Sequence, residues 1–379
     1  MRLRRINTGL LLFVGFAACT SAPTSERPAP ATIPLSATPP LLASTPFPLE
    51  PASAAPASST SSIPPLPVGT LEGIDAIVQG AIAREEVAGA VIAVLRHGEV
   101  TLQRAYGARL RGEHPVPMTV DTVFDLASLT KALCTGPAIV ALAEQKKLHL
   151  GDRVSRYLPA FAAKGKEAIT LEELLLHTSG LPADNALSDY DHGREEALSR
   201  IEDLPLEADP GARFLYSDLG YIVLGAVIEK VSGQTLDAFA QSQLFGPLGM
   251  KDTTFNPGAS LAARAAPTET RGNLLLQGQV HDPRAFRLRG VAGHAGLFST
   301  AADLTLFARM LLGGGSLGEA RVLSEASVQQ MTRPRALPDG GSRGLGWDIN
   351  TQFSGNRGEL KGGFGHTGFT GPSIWIDPS

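Results

Sequence analysis

Phe124-Asp125-Leu126-Ala127-Ser128-Leu129-Thr130-Lys131 is the stretch on which the reading of the chain turns. It sets a serine and a lysine three residues apart at the head of an apolar helical run. Residues i and i+3 share a helix face, so Lys131 Nζ is within reach of Ser128 Oγ. A serine hydroxyl at its ordinary pKa is a weak nucleophile and needs a base beside it. Lysine is a base only as the neutral amine, which burial or a neighbouring cation favours. A serine at a helix start also lies beside unpaired backbone N–H groups and the positive end of the dipole, where an oxyanion is stabilised. A lone S-x-x-K is common in long chains and equally fits a capped, solvated helix start, so other elements must support it.

On the N-terminal side, Leu71 to Glu85 places Leu71, Ile74, Ile77, Val78, Ala81 and Ile82 on one helical face. The apolar run Gly89 to Leu95, closed by His97-Gly98 and followed by Val100 to Tyr106, predicts a hairpin. On the C-terminal side, Gly136-Pro137 interrupts the helix begun at Ser128. Pro137 removes a hydrogen bond to Leu133 and predicts a kink there, at a local cost of about 3 kcal/mol. Thr170 opens another helix, with Glu172 and Glu173 in its first turn. That helix ends in Leu174-Leu175-Leu176-His177-Thr178-Ser179-Gly180-Leu181, where His177 reads as a buried histidine bonded to backbone. Tyr216-Ser217-Asp218 follows a Pro210-Gly211 turn. Gly365-His366-Thr367-Gly368 precedes an alternating apolar strand, Thr370 to Ile376.

The N-terminus has a different character. Arg2, Arg4 and Arg5 precede the apolar run Leu10 to Phe16, and Ala17-Ala18 precede Cys19. The run is too short for a permanent membrane span and reads as an export signal outside the fold. Phe16-Ala17-Ala18-Cys19 resembles a bacterial lipobox with Phe16 in the usual leucine position, which makes Cys19 the lipidated residue. Residues 20–68, rich in Pro, Ala, Ser and Thr and nearly uncharged, form a disordered tether. As extended polyproline it would reach about 150 Å. The expectation is therefore an export signal over 1–19, a tether over 20–68 and one domain over 69–379. The protein is expected in the periplasm or cell envelope, membrane-anchored by lipid, with a chain beginning near Leu71 keeping full activity.

Composition is that of a globular protein: 379 residues, 43% hydrophobic, 18% charged, formal net charge -4. Nothing in it is basic enough for nucleic acid. Cys134, the second of two cysteines, reads as a small buried apolar side chain. The eight histidines show no paired-ligand spacing, so no metal and no cofactor is expected.

S-L-T-K at 128–131, Y-S-D at 216–218 and H-T-G at 366–368, in this order, resemble the penicillin-recognising serine hydrolases: class C β-lactamases, D,D-carboxypeptidases and related esterases. The resemblance covers Leu71 to Ser379. A-P-T-E at 266–269, V-H-D at 280–282 and G-H-A-G-L-F-S at 293–299 look like the penicillin-binding carboxypeptidase branch. It implies an α+β fold, an antiparallel sheet flanked by helices with a helical lobe inserted roughly from 140 to 280. Ser128 would be the acylated nucleophile, Lys131 its base partner and Tyr216 the proton shuttle. Backbone N–H groups of Ser128 and Phe369 would form the oxyanion hole, and Asp218, His366, Thr367 and Gly368 would contact substrate. The implied function is hydrolysis of D-Ala-D-Ala peptides, β-lactams or small esters through an acyl-enzyme, by a monomer. The alternative is a non-catalytic lipoprotein that binds penicillin or peptidoglycan.

The chain departs from the family pattern at three places. Asp218 stands for the usual asparagine and should raise the Lys131 pKa. His366 stands for the usual lysine, so reading a substrate carboxylate would require imidazolium and fade from about pH 5.5 to about 7.5. After Asp377-Pro378-Ser379 the family's C-terminal strand and helix are missing. An empty central position is therefore expected between the Gly89–Tyr106 hairpin and the strand near Ile374.

Overall fold

Along the strand Gly89–Arg96 both sets of alternating side chains are buried. Val91, Ala93 and Leu95 face the main core, whereas Ala90, Ile92 and Val94 face a smaller cluster with Val78, Leu71, Ile74 and Ile82 of the helix Thr70–Ala83. A strand covered on both faces reads as a continuous apolar run, as this one does. The computed structural model describes residues 10–17, 69–357 and 363–378. Among these, one sheet carries the fold. In residue numbers its order is 335–336, 342–343, 348–350, 364–367, 373–377, 10–17, 89–96, 99–110 and 116–117, every neighbour antiparallel.

The central position is not empty. The strand Leu10–Ala17 fills it, pairing with Ser373–Asp377 from Leu10↔Asp377 to Val14↔Ser373. On its other side it pairs with Gly89–Arg96 from Leu10↔Arg96 to Ala17↔Gly89. This corrects the expected vacancy, and it places part of the 1–19 segment inside the sheet. The physical reason is that two facing strand edges would otherwise leave rows of N–H and C=O groups unpaired. While paired on both sides, the segment is not free to engage a membrane or a signal peptidase. Cys19 and the 20–68 tether lie outside the described residues. No described helix is long and apolar enough to cross a membrane.

The helical lobe has the expected place. Its larger members are Gly136–Glu144, Leu171–Leu176, Arg194–Asp203 and Asp218–Ser232. Thr170 caps the second: its hydroxyl accepts from Glu173 N–H, and Glu173 accepts from Thr170 N–H, a reciprocal box. Pro137 falls just after a change of ladder. A π turn spans Lys131–Thr135, and Gly136 N–H donates to Lys131 O, so the ladder has already shifted by one residue before the proline. Glycine is favoured at position 136, because a Cβ there would sit 3.0 Å from Leu345 O and 3.1 Å from Lys131 O.

A short sheet of Phe124–Asp125, Leu297–Ser299 and Thr254–Phe255 joins the lobe to the serine.

Filling the central position predicts that residues 1–68 are not dispensable. A chain beginning at Gly69 is expected to melt at least about 5 °C below the full chain, since a few kcal/mol of lost pairing shifts Tm by that much. Equal melting temperatures by calorimetry would show that the sheet closes without Leu10–Ala17.

Candidate active site

Ser128 is placed by the backbone around it. Ala127 adopts φ +46, a left-handed conformation that costs a non-glycine residue about 1 kcal/mol, and its N–H donates to Asp125 Oδ1 at 2.9 Å. Asp125 also accepts from His281 N–H through Oδ2 at 2.7 Å, while its carbonyl accepts from Thr370 Oγ1 at 2.6 Å. One buried residue thus ties the serine turn to the 281 loop through its carboxylate and to the segment after His366-Thr367-Gly368 through its carbonyl. Burial pushes that carboxyl up to about 6, against the pull of the two N–H donors. Gly368 passes so close to Leu126 that a Cβ would lie 2.4 Å from Leu126 O, which is why glycine ends this strand.

Lys131 is fully buried and sits among three oxygens. Nζ donates to Ser128 Oγ at 3.0 Å and to the His294 carbonyl at 3.0 Å. Asp218 Oδ1 lies 2.7 Å away, an ion contact rather than a well-angled hydrogen bond. Burial pushes the ammonium toward neutrality. The Asp218 carboxylate and then Tyr216 outweigh it, and Lys131 titrates above its ordinary value.

The 293–299 run supplies the other wall. Thr135 Oγ1 donates to Gly293 O at 2.6 Å, Leu126 N–H to Leu297 O at 2.9 Å, and Leu297 N–H to Thr130 Oγ1 at 3.1 Å.

Tyr216 is held from behind. Its ring stacks on His177 at 4.3 Å, and Lys131 Nζ lies 5.1 Å from its centroid. His177 Nδ1 accepts from Ser217 N–H at 3.0 Å, so it is the buried, backbone-bonded histidine that the sequence indicates. Burial, then the charges of Arg343 and Lys131, keep it neutral. Ser217 caps the helix Asp218–Ser232, its hydroxyl accepting from Gly220 N–H. That cap points Asp218 at Lys131.

His366, Thr367, Phe369, Ser128 and Tyr216 line one cleft of about 190 Å³, together with Arg343, Asp348 and Phe353. The backbone N–H groups of Ser128 and Phe369 have no protein acceptor among the described residues. The surroundings of His366 disfavour the imidazolium that carboxylate reading would require. Its ring is buried, and Nδ1 faces the Thr367 carbonyl at 2.7 Å, so Nδ1 carries the hydrogen and Nε2 is an acceptor. Burial and the positive charges of Arg343 and Lys131 push its pKa well below the usual histidine value. Neutral imidazole with an acceptor nitrogen cannot bind a carboxylate.

Behind Lys131, Asp218, Asp282 and His294 offer ligand atoms within 4.8 Å of one another. His294 Nε2 is 2.8 Å from Asp282 Oδ1. Burial pushes the Asp282 carboxyl up, but His294, Ala285 N–H and Lys131 hold it well below the usual carboxylate range. With the Lys131 ammonium against Asp218, like-charge repulsion disfavours a metal cation.

Sequence reasoning missed Asp125, Arg343, Asp348 and Phe353, and it quoted Asp282 and His294 without a role. The Arg343-Gly344-Leu345-Gly346-Trp347 run carried a signal, two glycines ahead of a tryptophan. A Cβ at Gly346, where φ is +85, would lie 3.1 Å from Lys131 O, so this loop packs on the π turn.

This fold, with half-buried Ser128 against buried Lys131 and facing a tyrosine, defines a serine hydrolase of the beta-lactamase superfamily. Residues 74–379 match the family described as Beta-lactamase, and the chain belongs to that family. An Escherichia coli K12 protein named as a D-alanyl-D-alanine carboxypeptidase is 33% identical over 324 residues, covering 75% of this chain and 74% of that one. The octameric penicillin-binding protein homologue of Pyrococcus abyssi aligns with a TM-score of 0.66 at 23% identity, over 82% of this chain and 74% of that one. EstCE1, a hydrolase with promiscuous acyltransferase activity, aligns with a TM-score of 0.63 at 25% identity, over 81% and 92%.

Two outcomes follow from the charges. Asp218→Asn should lower the Lys131 pKa and move the acid limb of kcat/KM down by about one to three pH units; an unmoved limb would detach Asp218 from the chemistry. Neutral His366 predicts that the kcat/KM ratio of a carboxylated to an uncharged substrate stays flat from about pH 5.5 to about 7.5. A loss confined to the carboxylated substrate would restore the imidazolium.

Proposed function

We propose that the protein is a D,D-carboxypeptidase-like acyl hydrolase working through an ester on Ser128, with D-Ala-D-Ala peptides, β-lactams or small esters as substrates. The observation that carries this reading is the 3.0 Å contact between buried Lys131 Nζ and Ser128 Oγ, with Tyr216 beside it and two free N–H groups across the cleft. The names of the Escherichia coli relative and of EstCE1 support the same chemistry.

In this reading Lys131 first yields a proton to Asp218 at 2.7 Å and then takes the Ser128 proton as Oγ attacks the acyl carbon. The Ser128 and Phe369 N–H groups bind the developing oxyanion; losing one such donor costs about 3 kcal/mol. Tyr216 protonates the departing amine or alkoxide and recovers a proton from Lys131. The bond from carbonyl carbon to leaving group breaks, and water then cleaves the ester along the same proton path. Thr367 and Gly368 would line the leaving-group side.

A second reading is favoured by the ion pair itself. Because Asp218 keeps Lys131 charged, turnover could be slow enough to make the protein a penicillin or peptidoglycan binder. The envelope location and the lipid on Cys19 are part of the proposal and rest on the N-terminal sequence; lipidation would cleave ahead of Cys19 and take Leu10–Ala17 out of the sheet, so the lipidated form and the paired strand are alternative states. Cys19→Ser should release the protein from the membrane fraction.

Mass spectrometry after exposure to a penicillin tests the chemistry. A covalent adduct on Ser128 that disappears within hours marks a hydrolase, and a permanent one marks a binding protein. Ser128→Ala should form no adduct while melting within about 2 °C of the parent. An adduct formed elsewhere, with Ser128→Ala unaffected, would sink the mechanism.

A further inference from the structure

For an oxyanion to form between the Ser128 and Phe369 N–H groups, two segments far apart in the chain must face one point. One residue touches the neighbours of both. Asp125 accepts through Oδ1 from the N–H of Ala127, the residue before Ser128, at 2.9 Å. Its carbonyl accepts from Oγ1 of Thr370, the residue after Phe369, at 2.6 Å. Its second carboxylate oxygen accepts from His281 N–H at 2.7 Å, and the His281 ring stacks on Phe369 at 5.3 Å. A local turn after an aspartate needs only the first of these bonds. The other two reach across 156 and 245 residues. Asp125 is 2% exposed, and its carboxylate has no ion-pair partner among the described residues. Asparagine would make the turn without burying a charge, but it cannot accept on both sides.

We propose that Asp125 is a positioning residue for acyl transfer: it locks the Ser128 turn and the Phe369 segment together, so that the nucleophile and both oxyanion donors meet one carbonyl. This role rests on the acyl-hydrolase reading above. Asp125 acts through Ala127, His281 and Thr370 and touches no substrate. Ala127 stands at φ +46, a conformation that most side chains avoid, and the bond to Asp125 holds it there. The ionised carboxylate does this best, because protonation exchanges charge-assisted bonds for neutral ones about half as strong. Burial pushes the carboxyl up to about 6, against its two N–H donors; from the 281 loop His281 favours the charged form and Asp282 opposes it. His281 is itself paired with Glu269, Nε2 to Oε2 at 3.2 Å. Phe298 across the strand and Thr370 carry no charge. Alignment is therefore complete well above that value and weakens as the pH falls through about 6.

The test compares the full-length parent with Asp125→Asn on a nitrophenyl ester and a chromogenic β-lactam. At about pH 8 the variant should lose about ten- to a hundredfold in kcat with KM within about threefold, because one buried N–H loses its acceptor and the alignment serves the transition state. The parent-to-variant ratio of kcat/KM is then followed against pH, which cancels the titrations of Lys131 and Asp218 that both proteins share. It should shrink several-fold between about pH 7 and about pH 5, as the parent takes up its proton. A ratio that stays constant over that range, or a loss confined to KM, overturns the proposal. Thr370→Val, which removes only the hydroxyl bond to the Asp125 carbonyl, serves if the asparagine variant does not fold. A loss of about three- to tenfold in kcat at constant KM then supports the proposal, and an unchanged kcat overturns it. If the parent turns over neither substrate and Ser128 takes no adduct, the hydrolase reading fails instead, and the NMR amide resonances of Ser128 and Phe369 decide. A shared titration near pH 6 that Asp125→Asn abolishes supports the coupling. Resonances that do not move, or that titrate unchanged in Asp125→Asn, overturn it.

Discussion

The contact between the Lys131 ammonium and the Asp218 carboxylate, 2.7 Å apart in the protein interior, is the constraint on which the site depends. A fully buried ammonium is tolerated only with compensating partners, and removing one partner of such a pair typically costs about 3–5 kcal/mol. Each partner is delivered by a different part of the chain. Asp218 comes from the helix capped by Ser217, the His294 carbonyl from the 293–299 run, and Ser128 Oγ from the turn held by Asp125. The ion pair therefore reports that three distant segments are in register. Its chemical consequence is that the resting lysine is charged, so the proton path includes Asp218.

The second constraint is closure of the sheet. The hairpin and the strand Ser373–Asp377 present facing edges, and eight apolar residues from the N-terminus satisfy both. This strand sits on the far side of the 364–367 strand's partner, so it supports the His366-Thr367 edge of the cleft without entering it. Loosening the centre of the sheet would therefore act on the site through the position of the Phe369 N–H.

Much of the site was legible because its spacing is local. Ser128 and Lys131 meet as their i, i+3 separation requires, the Thr170 cap forms, and His177 bonds backbone. The Asp218 substitution raises the lysine as elementary electrostatics requires. What failed did so for physical reasons. An apolar eight-residue run preceded by arginines has the same composition whether it becomes an export segment or a central strand, and only two vacant edges distinguish them. Pro137 was expected to interrupt a regular helix, whereas a π turn over Lys131–Thr135 changes the ladder before it. His366 was read from its neighbours in sequence, whereas its charge is set by burial and by Arg343, which arrives from two strands away.

The state of Lys131 can be observed directly. With selectively labelled lysine, the Lys131 side-chain resonance, assigned by its loss in Lys131→Arg, can be followed by NMR against pH. An ammonium held by Asp218 should persist past the ordinary lysine midpoint of about pH 10.4. A titration midpoint between about pH 6 and 8 would instead show a lysine already poised as a free base, and would contradict the ion pair as the organising contact of the site.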